Sequence, residues 1–145
     1  MSLRARQMAI TAFDCVSKHA ELGEDARRKY GALAHKLPGM ILQNGLAQTT
    51  GFLLAKGKNG DHDPHSLLLD DLSAALNLPG QPTAAANRIA LHERVLRADL
   101  TATLLLTRSA LDAAGWLKRY VQGVLRIDAT GDNAATPIDN AGAPR

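Results

Sequence analysis

From Leu3 to Ile127 the apolar residues of this chain return every three or four positions, and no stretch alternates apolar with polar as a half-buried strand would. Ala and Leu abound while only two Phe, two Tyr and one Trp occur. A core built from such side chains suits helices packed on helices. The expected fold class is all-α: a single-domain helical bundle of about six helices over residues 1–127. The last stretch, 128–145, has few large apolar groups and is expected to be a flexible C-terminal tail. A domain of 145 residues can bury roughly two thirds of its unfolded surface, enough for a core without covalent staples.

The first helix is expected from about Leu3 to Leu22, ending at Gly23, with Ile10, Phe13, Val16 and Ala20 facing inward. The second opens at Glu24, where Glu24 and Asp25 suit the positive end of a helix dipole, and runs to Leu37. Pro38 interrupts it, so a third helix is expected from Pro38 to about Lys56. Asn44-Gly45 resembles a hairpin turn, but neither flank alternates, and Ile41, Leu42, Leu46, Phe52 and Leu53 keep a helical period. After the loop "GKNGDHDPH", Asp63 as cap and Pro64 at the first position open a fourth helix, with a stop at Pro79-Gly80. Thr83 is the next cap candidate. The run from there to Ile127 is too long for one globular helix, and a break is expected near Arg97 to Asp99. Leu104, Leu111, Leu117, Val121 and Val124 are expected to face inward in its last part.

No apolar run approaches the ~20 residues of a membrane span, so no membrane partner is expected. Cys15 stands alone, which excludes an internal disulfide and points to a reducing, cytoplasmic compartment. The signatures of a phosphate loop, a nucleophile elbow, a zinc-binding helix or a paired-carboxylate centre are all missing. No catalytic residue, metal or cofactor is expected. Asp61, His62, Asp63 and His65 form the tightest cluster of metal-ligating types, but Asp63-Pro64 is already accounted for as a helix start. His19, His35 and His92 read as isolated.

The net charge is only +3, yet it is unevenly spread. Residues 1–60 hold nine Lys/Arg against four Asp/Glu, residues 101–127 hold four against one, and the middle is acidic. Two basic segments packed side by side would attract a polyanion. Arg27, Arg28 and Lys29 can contact phosphates, or can simply be a solvated face. Trp116 beside Lys118, Arg119 and Tyr120 pairs a stacking surface with cations, although the one Trp of such a chain also suits a core or partner-facing position.

Two blocks carry a family likeness: "KYGALAHKLPGMILQNGLAQTTGFLLAKG", residues 29–57, and "TRSALDAAGWLKRYVQGVL", residues 107–125. Together they resemble the small helical subunit of the type III-B CRISPR effector, the Cmr complex. Thr103 stands where members of that family often carry Tyr. The resemblance implies a noncatalytic subunit that stacks with further copies of itself beside a Cas10-type large subunit and the crRNA-carrying RAMP backbone subunits. It also implies a place along the channel where target RNA pairs with the guide. Lys36, Lys118 and Arg119 are basic positions inside the matching blocks and the first choices for RNA contact; Arg27, Arg28, Lys29 and Arg108 are weaker choices made on charge alone. The alternative is a helical interaction module that orders its neighbours and never touches nucleic acid.

Gly45 and Gly51 inside a helix would each cost about 1 kcal/mol relative to Ala. The expectation is that they seat an adjacent helix, with Gln43, Asn44 and Gln48 offering hydrogen bonds beside it; Trp116 is separately expected as a helix-packing or subunit contact.

Overall fold

The computed structural model describes residues 1–76 and 88–132. Six α-helices follow one another among these residues: α1 (Leu3–Lys18), α2 (Glu24–Asn44), α3 (Leu46–Lys56), α4 (Pro64–Leu76), α5 (Arg88–Arg97) and α6 (Leu100–Tyr120). A 3₁₀ turn (His19–Glu21) extends α1, and a π turn (Val121–Leu125) extends α6. Helices α1, α2, α4 and α6 form the central bundle, α4 and α6 each touching both α1 and α2. Helix α3 packs on α2 and α4, and α5 lies against α3 and α4.

The helix starts obey local chemistry. The Ser2 hydroxyl accepts from the Ala5 N–H to open α1, and the Asp99 carboxylate accepts from the Ala102 N–H to open α6. The chain breaks between Arg97 and Leu100 as expected. The Asp63 carboxylate accepts from the His65 N–H at the start of α4, where Pro64 takes the first position. The Pro79-Gly80 stop and the Thr83 cap lie outside the described residues.

The expected break at Pro38 does not occur. Helix α2 continues through the proline to Asn44, although an interior proline costs about 3 kcal/mol. Leu37 just before it and Ile41 beyond it prolong the stripe of Tyr30 and Ala34, and all four are essentially inaccessible to solvent. Burying each such large side chain returns about 1.5–3 kcal/mol, so packing outweighs the local penalty. The break falls instead at Gly45, whose backbone (φ 83°, ψ 162°) occupies a region open almost only to glycine. Its N–H donates to Ile41 O at 2.9 Å, closing α2, and its carbonyl accepts from Thr49 N–H at 3.2 Å, opening α3. A Cβ at Gly45 would meet no atom within 4 Å, so this glycine serves conformation and not the close approach expected of it. At Gly51 a Cβ would reach His92 of α5 at an ordinary 3.4 Å.

Close approach belongs to Gly31, which the sequence did not single out. A Cβ there would lie 2.5 Å from Ile127 Cγ2. Ile127 is fully buried on this glycine, and its carbonyl lies 2.8 Å from His35 Nε2. The chain past α6 is therefore strapped across α2. The strap continues beyond the expected tail boundary at residue 128: Arg28 Nε–H donates to Gly131 O at 3.1 Å, and its guanidinium pairs with Asp132. Residues 133–145 lie outside the described part.

Two inward faces also differ from expectation. On α1 the buried residues are Met8, Ala9, Ala12 and Val16, while Ile10, Phe13 and Ala20 are exposed. On α6 they are Leu106, Ala110, Ala113, Ala114 and Leu117, with Val121 just beyond, whereas Leu104 and Val124 are exposed and Leu111 is half-buried. Alanine explains both shifts. Helices that meet through alanines pack closely, so the contact stripe is centred on small residues and not on the largest apolar ones.

The two kinds of glycine separate in a urea unfolding experiment. Gly45→Ala is expected to lose about 1–3 kcal/mol despite the free space around it. Gly39→Ala, in helical backbone with nothing within 4 Å of its would-be Cβ, is expected to gain up to about 1 kcal/mol.

Candidate nucleic-acid interface

The tightest polar cluster among the described residues is buried. Tyr30 of α2 donates its hydroxyl to Asp71 Oδ2 of α4 at 2.6 Å, and His19 Nε2 lies 2.6 Å from the same oxygen. The His19 and Tyr30 rings lean together at 4.3 Å, and the Cys15 thiol of α1 also turns toward Asp71. Burial first, and then the Asp71 carboxylate, push the Cys15 thiol from an ordinary 9.0 up to about 12. The same two causes, in the same order, raise the Tyr30 phenol well above its usual value. A thiol shifted that way is the reverse of an activated nucleophile. The cluster joins helices. The other histidines are likewise not isolated, since His35 bonds Ile127 and His92 Nδ1 sits 2.6 Å from Thr50 Oγ1. No local pattern announces these pairs, because every partner is distant in sequence.

Asp61, Asp63 and His65 of the "DHDPH" loop make structural contacts, and His62 is exposed. His65 Nδ1 lies 2.9 Å from Asp63 Oδ1, and Asp61 pairs with Arg88, which also clasps Asp70. Burial works to raise the Asp63 carboxyl, but the hydrogen bonds it accepts from His65 and from backbone N–H groups leave it below the usual range. Among the described residues no three His, Cys, Asp or Glu side chains converge as a metal site would need.

The basic residues divide into engaged and open. Arg28 is occupied by Gly131 and Asp132, and Lys29 pairs with Asp25 one turn earlier at 3.2 Å. Two of the cations expected on α2 are thus partly neutralised at home. Arg27 is half-buried, and Lys36 is exposed two turns beyond Lys29 on the same side of α2. On α6, Arg108 and Arg119 are exposed and three turns apart on one stripe, with Asp112 between them, and Lys118 lies about a quarter turn round, half-buried. Asn44 is exposed at the end of α2, beside Gly45.

Trp116 organises the far end of α6. Tyr120 stacks beside it at 5.7 Å with planes 19° apart, the Arg119 guanidinium lies 4.8 Å over its ring, and Phe13 of α1 meets Tyr120 edge-on at 5.4 Å. An arginine held on an indole face keeps its charge while its weakly hydrated plane is already positioned. A cavity of about 400 Å³ opens here, bounded by Arg4 and Met8 of α1 and by Ser109, Asp112, Trp116 and Arg119 of α6.

Fold and surface together define a small all-α domain that joins a cationic, aromatic-bearing helix face to a core of alanine-mediated contacts. A family model described as "CRISPR-associated protein (Cas_Cmr5)" matches residues 4–124. A Thermus thermophilus protein described as "CRISPR system Cmr subunit Cmr5" is 33% identical over 125 residues, covering 86% of this chain and 98% of the relative. The crystal structure of a CRISPR-associated Cmr5 family protein, also from Thermus thermophilus, superposes with a TM-score of 0.72 at 33% identity, covering 86% of this chain and 99% of that one. The chain belongs to the Cmr5 family of CRISPR-associated proteins.

The buried cluster sets a pH dependence. Because the Cys15 thiol and Tyr30 phenol titrate higher when folded than when unfolded, the unfolded chain loses their protons first as pH rises. The stability they contribute is fully present below about pH 9 and is lost progressively toward pH 12. Urea midpoints measured across that window should fall, and the fall should be smaller in Cys15→Ala than in the parent chain.

Proposed function

We propose that this chain is a noncatalytic subunit of a Cmr-type, RNA-guided, RNA-targeting effector complex, working in the cytoplasm in antiviral defence. Membership of the Cmr5 family supports the complex, and the description of the Thermus thermophilus relative as a Cmr subunit points the same way. Its partners are a Cas10-type large subunit, RAMP backbone subunits, further copies of itself, and the crRNA with its target RNA. The protein holds RNA through the RNA's sugar-phosphate backbone, with Lys36, Lys118 and Arg119 as the principal contacts, and Arg108 three turns from Arg119 on the same stripe.

The Arg119–Trp116 contact is the observation that carries this reading. A guanidinium placed on an aromatic plane, next to a second cation and with no carboxylate bonded to it among the described residues, can meet a phosphate without first breaking an ion pair there. Contacts of this kind are independent of sequence and sensitive to salt. A purely structural role has its own support. Leu96, Leu100 and Leu104 are each more than 60% exposed at the α5–α6 corner, an apolar surface suited to a neighbouring subunit.

Titration of unrelated RNAs onto the assembled complex at about 50 and 200 mM salt distinguishes the two readings. Backbone contact predicts similar affinities across sequences, a steep fall with salt, and at least a tenfold loss in the Lys118→Glu, Arg119→Glu double variant. Unchanged RNA capture by an assembled double variant would favour the structural module, and a strong preference for one sequence would count against backbone contact.

A further inference from the structure

Three arginines that the charge map of the chain passes over surround one cavity. Arg4 at the start of α1 and Arg94 and Arg97 in the last turn of α5 border a space of about 470 Å³. Its remaining wall is largely apolar, from Leu76 at the end of α4 to Leu105 and Leu106 of α6. Among the described residues none of the three arginines has an ion pair or a side-chain hydrogen bond, and no carboxylate borders the cavity. Arg94 and Arg97 do complement the negative end of the α5 dipole. That accounts for their place on α5 but not for Arg4, which comes to the same space from another helix.

We propose that this cavity holds a phosphate and an unstacked base of single-stranded RNA. The strand continues from there along α6 toward Trp116 and Arg119. The proposal rests on the RNA-holding reading given above and assigns it a second, separate set of residues.

Three features select the ligand. Convergent guanidiniums, each a planar fork of donors, match the oxygens of phosphates. An apolar floor beneath them suits the face of a base that has left its stack, whereas a duplex keeps its bases inside and offers a cavity nothing but backbone. The space is also not closed off: Arg4 and Ser109 border both this cavity and the one beside Trp116 and Arg119. From Leu105 to Arg119 the helix covers roughly 20 Å at about 1.5 Å per residue. That is several times the ~3.4 Å stacked repeat of a nucleic-acid strand, so the pair of cavities accommodates a chain and not a single anion.

The test uses the full chain within its complex and three proteins: the parent, an Arg4→Gln, Arg94→Gln, Arg97→Gln triple variant, and the Lys118→Glu, Arg119→Glu variant. The probe is a single-stranded RNA carrying a photoreactive uridine, with the cross-linked peptide mapped. The proposal expects cross-links to α5 and the first half of α6 in the parent, and at least a tenfold loss in the triple variant. The slope of log affinity against log salt should also become shallower by about 0.7, the value for one phosphate contact on a single strand. All three arginines are exposed, so an unchanged melting temperature is expected. If the triple variant unfolds, Arg94→Gln and Arg97→Gln taken singly should each weaken cross-linking and make the slope shallower by less than about 0.7.

Cross-links in the parent that survive undiminished in the triple variant overturn this site alone, leaving Lys118 and Arg119 in place. A parent that cross-links nowhere on this chain overturns both this site and the RNA-holding reading. Loss of assembly with the other subunits, without loss of RNA binding by what remains, would assign the arginines to an acidic protein surface and overturn the proposal. Competition by a 5′-mononucleotide as effective as by the oligomer would mean a free-nucleotide site, and also overturns it.

Discussion

One carboxylate oxygen ties the bundle together. Asp71 Oδ2 accepts from Tyr30 of α2 and sits equally close to His19, the residue that follows α1, so three segments must reach their final register before it is satisfied. A buried carboxylate left without donors is among the most expensive groups in a protein interior, while each hydrogen bond to a charged group contributes about 1.5–3 kcal/mol. The surrounding core is mostly Leu, Ala, Ile and Val, whose contacts are strong in sum but weakly directional. The polar cluster supplies the direction. It holds the turn after α1 against α2 and α4, and α6 then closes the remaining side.

Around that anchor, two departures from simple helix rules shape the molecule. Pro38 is carried inside α2 because the stripe of Leu37 and Ile41 stays in phase across it. Gly45 breaks the helix because its backbone leaves helical space altogether, even though no side chain crowds it. Proline is the stronger breaker by propensity, yet burial reversed the order. Gly31 adds the complementary case, in which absence of a Cβ lets Ile127 seat on α2 and brings the chain end back over the bundle.

The surface follows from these packings. Arg28 and Lys29, the densest basic run in the chain, are drawn into pairs with Asp132 and Asp25, and surface pairs of this kind leave little free field although each contributes under about 1 kcal/mol. Arg119 escapes because its nearest partner is an indole. Arg4 comes from the basic first segment and Arg94 and Arg97 from the acidic middle, and only the bundle sets them around one space. Charge counted along a sequence therefore does not say which cations are paired and which stay open.

The all-helical class, the cap at Asp63, the break before Leu100 and the family were all legible in the chain, because caps, apolar period and short motifs are properties of neighbouring residues. Inward faces were not, since Ala9, Ala12, Ala110, Ala113 and Ala114 make the contacts that periodicity had assigned to Ile10, Phe13 and Leu104. Nor were the partners of His19, His35 and His92, or the strap from Ile127 to Asp132. Those depend on which helices lie side by side, a matter of summed burial over the whole core. No window of a few residues contains that sum.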